Sequence, residues 1–337
     1  MDHNRNAKKL LEVIYLTIAT VILAVIGFYI PVLMFLSAVP LAVLSVKTNE
    51  KVALLSAAGS YMFLIILTQQ IVLATTILFA FGFAGIAIGH GLKRKWTFSE
   101  MFFISAGAYL FSLLTTILFL NYVEGVNQIN QLITLRIKAL EELITQIEAN
   151  LHETGALLGD EQKYADFFSI GKAELVRIEY IIRLFIPSFF IISSAFSGYL
   201  ALMSSKAILS RSGYDYKYFP AFSELRISRS AIVVFLLSFL LSSLATQQMI
   251  RGAFANIAFI LSMVFMVCGL SILDFFVKKA GIPGVVRVII YLIVFGIMML
   301  LGIIVPFLHP VNILIILTLT DSIFNFRKLG YKGENHG

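Results

Sequence analysis

The chain has 337 residues, of which 59% are apolar and 13% charged, with a mean hydropathy of +0.92 and a formal net charge of +7. A water-soluble domain of this length does not carry so apolar a composition, so the solvent must in large part be lipid. A nucleic-acid partner, which the positive charge alone would suggest, is excluded by where the charge lies.

Ten apolar stretches are predicted as membrane spans, at 10–30, 32–46, 51–68, 70–92, 101–121, 180–203, 230–248, 253–277, 287–305 and 311–326. Crossing about 30 Å of hydrocarbon takes about 20 helical residues. The stretches 32–46 and 311–326 are short by that measure, as tilted partners, half-helices or interfacial segments would be. The first stretch has the basic flank of a signal peptide. It is too long for the apolar region of one, and no small-x-small cleavage pattern ends it before Pro31, so a retained first helix is expected.

Basic residues alternate with these spans. They stand at Arg5, Lys8 and Lys9; Lys47 and Lys51; Lys93, Arg94 and Lys95; Lys206, Arg211, Lys217, Arg226 and Arg229; Lys278, Lys279 and Arg287; and Arg327, Lys328 and Lys332. A ten-span topology puts these 19 of the 26 Lys and Arg on one side, while the short loops opposite hold only Arg251. By the positive-inside rule that side is the cytoplasm, with both termini in it. The expected fold class is therefore an all-α polytopic protein of the bacterial inner membrane.

Within the first five spans, Pro40 interrupts the short second one, and Gly82, Gly85, Gly89 and Gly91 share the fourth. Short, kinked helices often border binding sites, and small residues at helical spacing let helices approach closely. Residues 122–179 form an extracytoplasmic insertion with 10 of the 19 acidic residues. There Ile133, Ile137, Leu140, Ile144, Ile147 and Leu151 recur at alternating spacings of four and three, which predicts a helix with one apolar stripe. Gly155 and Gly159 break it, and a second helix from about 161 leads into the span at 180. Two helices packing over the membrane surface, or a hairpin that docks a partner, both fit. The loop 206–229 mixes five basic residues with Tyr214, Tyr216, Tyr218, Phe219 and Phe222, which suits contact with anionic lipid at the interface. A four-span domain at 230–326 and a tail at 327–337 complete the chain.

Cys268 is the only cysteine and lies in a predicted span, so no disulfide framework or cysteine metal site is available. No phosphate-binding glycine loop, nucleophile elbow or zinc-binding His-Glu-x-x-His is present, so neither an enzyme nor a cofactor or metal protein is expected. Energy would have to come from a gradient or a partner.

Ionisable groups in spans are costly and become candidates by default. Asp321 stands six residues before Arg327 and must pair, accept hydrogen bonds or be protonated. Glu179 and Arg183, four apart at the mouth of the sixth span, could bind a charged solute or simply pair. Asp274 has the same spacing to Lys278, and His90 adjoins the basic cluster 93–95. Gln69, Gln70, Asn121, Gln247, Gln248 and Asn312 all map to the side opposite the cytoplasm. Amides suit an uncharged polar solute, or plain capping at the membrane edge. The candidate ligand-binding set is Gln69, Gln70, Asn121, Glu179, Arg183 and Asp321.

The first block has a helix ending at Gly27–Pro31, a short second helix with Pro40, a small-residue third helix from Lys51 to Gly59, and a Gly-rich fourth closing at Gly89, His90, Gly91 and Lys93. In this order of features residues 1–205 resemble the six-span substrate-binding S components of energy-coupling-factor vitamin transporters. The chain as a whole resembles the bacterial YybS family of membrane proteins, with S-component-like first halves and extra C-terminal helices. The stretch Asp321 to Lys328 resembles that family's end. S components commonly dock their coupling subunit through Ala-x-x-x-Ala in the first helix, whereas Ala19 and Ala24 here are five apart. The resemblance implies a small-molecule ligand bound in the extracytoplasmic half of 1–205, with a coupling subunit or other membrane protein as partner. The alternative is a scaffold or sensor in envelope physiology that works through the insertion 122–179.

Overall fold

A computed structural model describes residues 2–125, 127–153, 161–216, 219–304 and 309–327. They fall in two compact units, Met1–Lys217 and Tyr218–Gly337. Every regular element among the described residues is helical. Four helices have the length and composition to cross a bilayer, over Ala7–Gly27, Glu50–Thr68, Phe98–Glu124 and Gln248–Lys279. Shorter apolar helices cover Leu33–Lys47, Arg229–Leu244, Gly284–Leu300 and Pro310–Phe324. Only 17–28% of each long apolar window is buried in the protein, so most of its side chains face outward, which an apolar solvent alone makes favourable. The chain is a polytopic all-α membrane protein.

The first unit opens with α1 (Asp2–Tyr29), followed by a 3-10 turn at Pro31–Ser37 and α2 (Ala38–Lys47). Next come α3 (Glu50–Thr68) and α4 (Ile71–Ile77), the latter continued through a π-helical turn at Leu78–Gly82 into α5 (Phe83–Lys93). Local chemistry sets the boundaries. Asn49 caps α3 by accepting a hydrogen bond from the Val52 N–H at 2.8 Å. Gln69 takes a left-handed backbone, φ 54°, which stops α3. Thr97 and Glu100 form a reciprocal capping box that starts α6 (Phe98–Glu124).

The predicted second span is not one helix. Its first half is the 3-10 turn, and α2 proper is about 15 Å long at 1.5 Å per residue, half a bilayer. Nor does Pro40 break it: Pro40 sits in the first turn of α2, where its missing N–H would have had no intrahelical partner. Residues 38 to 46 are all buried, which explains a segment with no polar face. α2 touches α1, α3, α5 and α8, and so forms the core of the unit.

Glycines bring α5 onto α2. A Cβ at Gly85 would stand 2.6 Å from the Ala38 carbonyl oxygen, and one at Gly89 2.5 Å from Ser45 Cβ and 2.7 Å from the Ala42 oxygen. Gly198 brings the backbone of α8 (Glu161–Arg211) equally close to Ser105 and Ala106 of α6. The predicted insertion is α7 (Gln128–Glu153) and the N-terminal half of α8, packed as an antiparallel hairpin. Lys172 pairs with Glu148 at 2.9 Å, and Ile144 lies against Gly171. α8 then runs on unbroken through Pro187 to Arg211. On the apolar stripe Ile133 is buried, but Leu140 and Ile147 are 47% and 45% exposed.

The second unit comprises α9 (Arg229–Leu244), α10 (Gln248–Lys279), α11 (Gly284–Ile304) and α12 (Pro310–Phe324), with a short 3-10 turn at Phe222–Glu224. α10 is its centre, packed against α9 and α12. Thr318 of α12 donates to the Phe265 carbonyl at 2.7 Å, and Phe235 meets Phe265 edge-on at 4.8 Å.

Replacing Gly89 by Val should force α5 off α2 and destabilise the first unit by about 1–3 kcal/mol. Gly59→Ala, whose Cβ would meet nothing nearer than Thr17 Cγ2 at 4.0 Å, should be neutral. Thermal unfolding midpoints of the two variants in one detergent compare these outcomes.

Candidate functional site

A partly open cavity of about 20 Å³ lies in the first unit, with room for about one water molecule. Its polar lining is Thr20, Ser37, Ser60 and Tyr61; Leu41, Ala57, Leu64, Ile77, Leu78, Phe81 and Gly82 complete it. Irregular backbone meets here. Ser37 closes the 3-10 turn and Leu78–Gly82 is the π turn. The Tyr109 hydroxyl donates to the Phe35 carbonyl at 2.8 Å and pins the 3-10 turn against α6.

Two of the hydroxyls are held by their own turns and two by neighbouring helices. Thr20 Oγ1 donates to the Leu16 carbonyl at 3.0 Å and Ser37 Oγ to the Met34 carbonyl at 2.8 Å. Ser60 Oγ reaches across to the Thr17 carbonyl of α1 at 3.4 Å, and Tyr61 Oη lies 3.3 Å from Thr75 Oγ1. Each donated proton leaves oxygen lone pairs, so the lining can accept as well as donate and brings no charge. Sequence reasoning marked the segment 32–46 that holds Ser37 but named neither that residue nor Thr20, Ser60 and Tyr61. Single hydroxyl residues are common in membrane helices, where they bond back to their own carbonyls, and only the fold sets these four on one wall.

The residues selected from sequence lie in three separate places. Gln69 and Gln70 form the exposed turn between α3 and α4 and do not line the cavity. Asn121, Glu179 and Arg183 gather where α6, α7 and α8 join. Asn121 Oδ1 accepts from the Gln128 N–H at 3.0 Å. Arg183 donates to Glu179 Oε1 at 2.6 and 3.0 Å, to Asn130 Oδ1 at 2.6 Å and to Thr134 Oγ1 at 2.9 Å. Its guanidinium is thereby committed to the base of the hairpin.

Asp321 belongs to the second unit and is buried there, as is Arg327. The guanidinium Nε and Nη2 approach Asp321 Oδ2 at 3.1 and 3.0 Å. Nη1 donates to the carbonyls of Ser223 at 3.0 Å and Leu225 at 2.9 Å and to Ser271 Oγ at 3.2 Å. The turn back that makes the pair possible is Asn325 at φ 53°. The cluster ties α12 to α10 and to the 3-10 turn at Phe222–Glu224. Arg327 had read as the first residue of a solvated tail; the structure places it among the most buried side chains instead.

Two smaller expectations change. Asp274 does not pair with Lys278: its Oδ1 accepts from Arg287 at 3.2 Å and from the Tyr291 hydroxyl at 2.9 Å, which bind α11 to α10. His90 faces Glu50 Oε1 at 2.5 Å and meets Trp96 edge-on, joining α5 to α3. In the loop after α8, Tyr216 has a buried hydroxyl with no partner among the described residues. Burial, with Tyr214 beside it, pushes its pKa up to about 12. Among the described residues no three His, Cys, Asp or Glu converge as a metal site would require.

Residues 18–315 match the family described as "Predicted membrane protein (DUF2232)", and the chain belongs to that family. It is 25% identical over 232 residues to a protein of Bacillus subtilis (strain 168) named "Uncharacterized protein YybS". That alignment covers 68% of this chain and 66% of the relative, just under two thirds of its length. No solved structure matches the chain.

Removing one member of the buried pair strands the other charge. Arg327→Met should therefore cost about 3–5 kcal/mol, while the double variant Asp321→Leu/Arg327→Met should recover much of that loss. Unfolding midpoints of the single and double variants in detergent test the coupling.

Proposed function

We propose that the chain is a solute-binding, transport-related protein of the bacterial cytoplasmic membrane, with the first unit as its binding domain. The main support is the small, mostly apolar cavity with four hydroxyl residues in its wall, at which the 3-10 turn and the π turn meet. Within a bilayer, irregular backbone is tolerated where it is buried in protein or lines a water-filled cavity. π turns concentrate at functional sites. Thr20, Ser37, Ser60 and Tyr61 place a few hydroxyls in an otherwise apolar lining, which suits a small, uncharged solute held by one or two hydroxyl contacts.

Drug-sized ligands occupy about 300–1,000 Å³. The cavity as it stands holds about one water molecule, and binding would widen it by moving α4 and α5 about the π turn. The resemblance of residues 1–205 to energy-coupling-factor S components supports the same reading. It would add a coupling subunit, or another membrane protein, as the source of energy. The alternation of basic residues supports ten spans with both termini in the cytoplasm. No catalytic chemistry, cofactor, metal or nucleic acid enters this reading.

A scaffold or sensor acting through residues 122–179 is the second reading. The observation in its favour is the α7–α8 hairpin, which keeps large apolar side chains exposed away from the apolar spans.

Native mass spectrometry of the protein, taken in mild detergent from its own host, separates the two. Transport predicts a retained small molecule that survives deletion of 125–175 and disappears in Ser60→Leu, a change that fills the cavity. A protein with no retained molecule, whose function is lost with 125–175 and untouched by Ser60→Leu, would leave the scaffold standing.

A further inference from the structure

The hairpin helices bury against each other only part of the apolar surface they carry. On α7, Ile133 is buried, and Ile137 and Ile144 are half-buried beside it. A second row, Leu132, Leu140, Leu143 and Ile147, is 45–58% exposed. On α8, Phe168 and Leu175 are buried, whereas Phe167, Ile170 and Ile178 are 42–68% exposed.

The positions of these rows follow from about 3.6 residues per turn. On each helix the exposed row lies about a quarter turn from the buried row, in the same rotational sense. Because α7 and α8 are antiparallel, equal offsets in the same sense bring both rows to one side of the hairpin. The result is a single broad apolar face on two polar helices. Contiguous patches of that kind mark interaction sites on soluble surfaces.

At the centre of each row stands one charge. Arg136 lies among Leu132, Leu140 and Leu143 on α7, and no ion-pair partner for it is found among the described residues. Glu174 lies between Ile170 and Ile178 on α8, with Arg177 at 3.5 Å as its ion-pair contact.

We propose that this face is a homodimer interface, on which the hairpin of a second copy packs to complete a four-helix bundle. Copies in one membrane share one orientation, so the twofold axis of a symmetric pair stands along the membrane normal. An axis parallel to the helices lays α7 of one copy over α8 of the other, antiparallel. Arg136 then meets the row that carries the partner's Glu174, and the contact occurs twice. The two sites lie about five residues apart in level, or about 7 Å, which the two side chains span together. Placing α7 on α7 would instead bring Arg136 against its own copy. The charge pattern is thus self-complementary in the arrangement that the membrane imposes. This inference is independent of what the first unit binds.

Oxidative cross-linking in native membranes tests it. Cys268 is the chain's only cysteine, so a Cys268→Ala background is free of other thiols. Gly171 is level with Ile144, which sets Ile147 level with Phe167 or its neighbour. Chains carrying Ile147→Cys, co-expressed with chains carrying Phe167→Cys, should form a disulfide-linked dimer. Lys138→Cys, on the opposite side of α7, should not. Arg136→Glu or Glu174→Arg alone should lower the dimer yield about tenfold, and the two together in one chain should restore it. Both positions are exposed, and a single unaggregated elution peak in detergent verifies that each variant folds. Three results would each overturn the proposal: equal cross-linking through Lys138→Cys, capture of a different protein at 147 or 167, or a reversal that the second reversal does not rescue.

Discussion

The first unit depends on the approach of α5 to α2. A helix of ten residues cannot span a bilayer, and its polar ends must be sheltered by protein. Gly85 and Gly89 let α5 come close enough for the backbone of α2 to lie against it, and α1, α3 and α8 close the remaining sides. Lipid tails are as apolar as Leu, so hydrophobicity alone does not drive helix association in a membrane; close van der Waals packing and hydrogen bonds do. Once α2 is held inside, the 3-10 turn before it and the π turn facing it become affordable departures from regular helix. The cavity between them is a consequence of that arrangement.

The second unit solves the same problem with charge. Asp321 and Arg327 would each be prohibitive alone in a dry interior. Paired, and with the remaining guanidinium donors spent on Ser223, Leu225 and Ser271, they fasten three segments at one point. A buried pair of this kind contributes less to stability than its Coulomb attraction suggests, because desolvation offsets it. What it gives is a fixed place for the end of α12. Asp274, Arg287 and Tyr291 do the same for α11 at lower burial.

Most of the helical layout was legible from hydropathy, because lipid-facing helices must be apolar along their length. The caps at Asn49 and Thr97 came from the structure: single polar residues between apolar runs carry no hydropathy signal, and only the backbone shows which N–H each one meets. The 3-10 turn was not legible either, since Pro31–Ser37 and Ala38–Lys47 are equally apolar, and periodicity cannot distinguish two kinds of buried helix. Arg327 misled for a related reason. A basic residue after an apolar span ordinarily lies in water, and only the left-handed turn at Asn325 folds it back onto Asp321. The stripe on α7 was half informative. It marked the helix, but spacing alone could not say that Leu140 and Ile147 lie outside the contact with α8.

The central claim is that the small space between α1, α3 and the π turn, with Ser37, Ser60 and Tyr61 in its wall, is where a solute sits. A density map of the protein purified from its own host into lipid nanodiscs would test it most directly. The account predicts density for a non-protein molecule in contact with Ser37, Ser60 and Tyr61, with α4 and α5 displaced about Leu78–Gly82. A space that stays one water wide, with the π turn in place and bound density elsewhere in the chain, would contradict it.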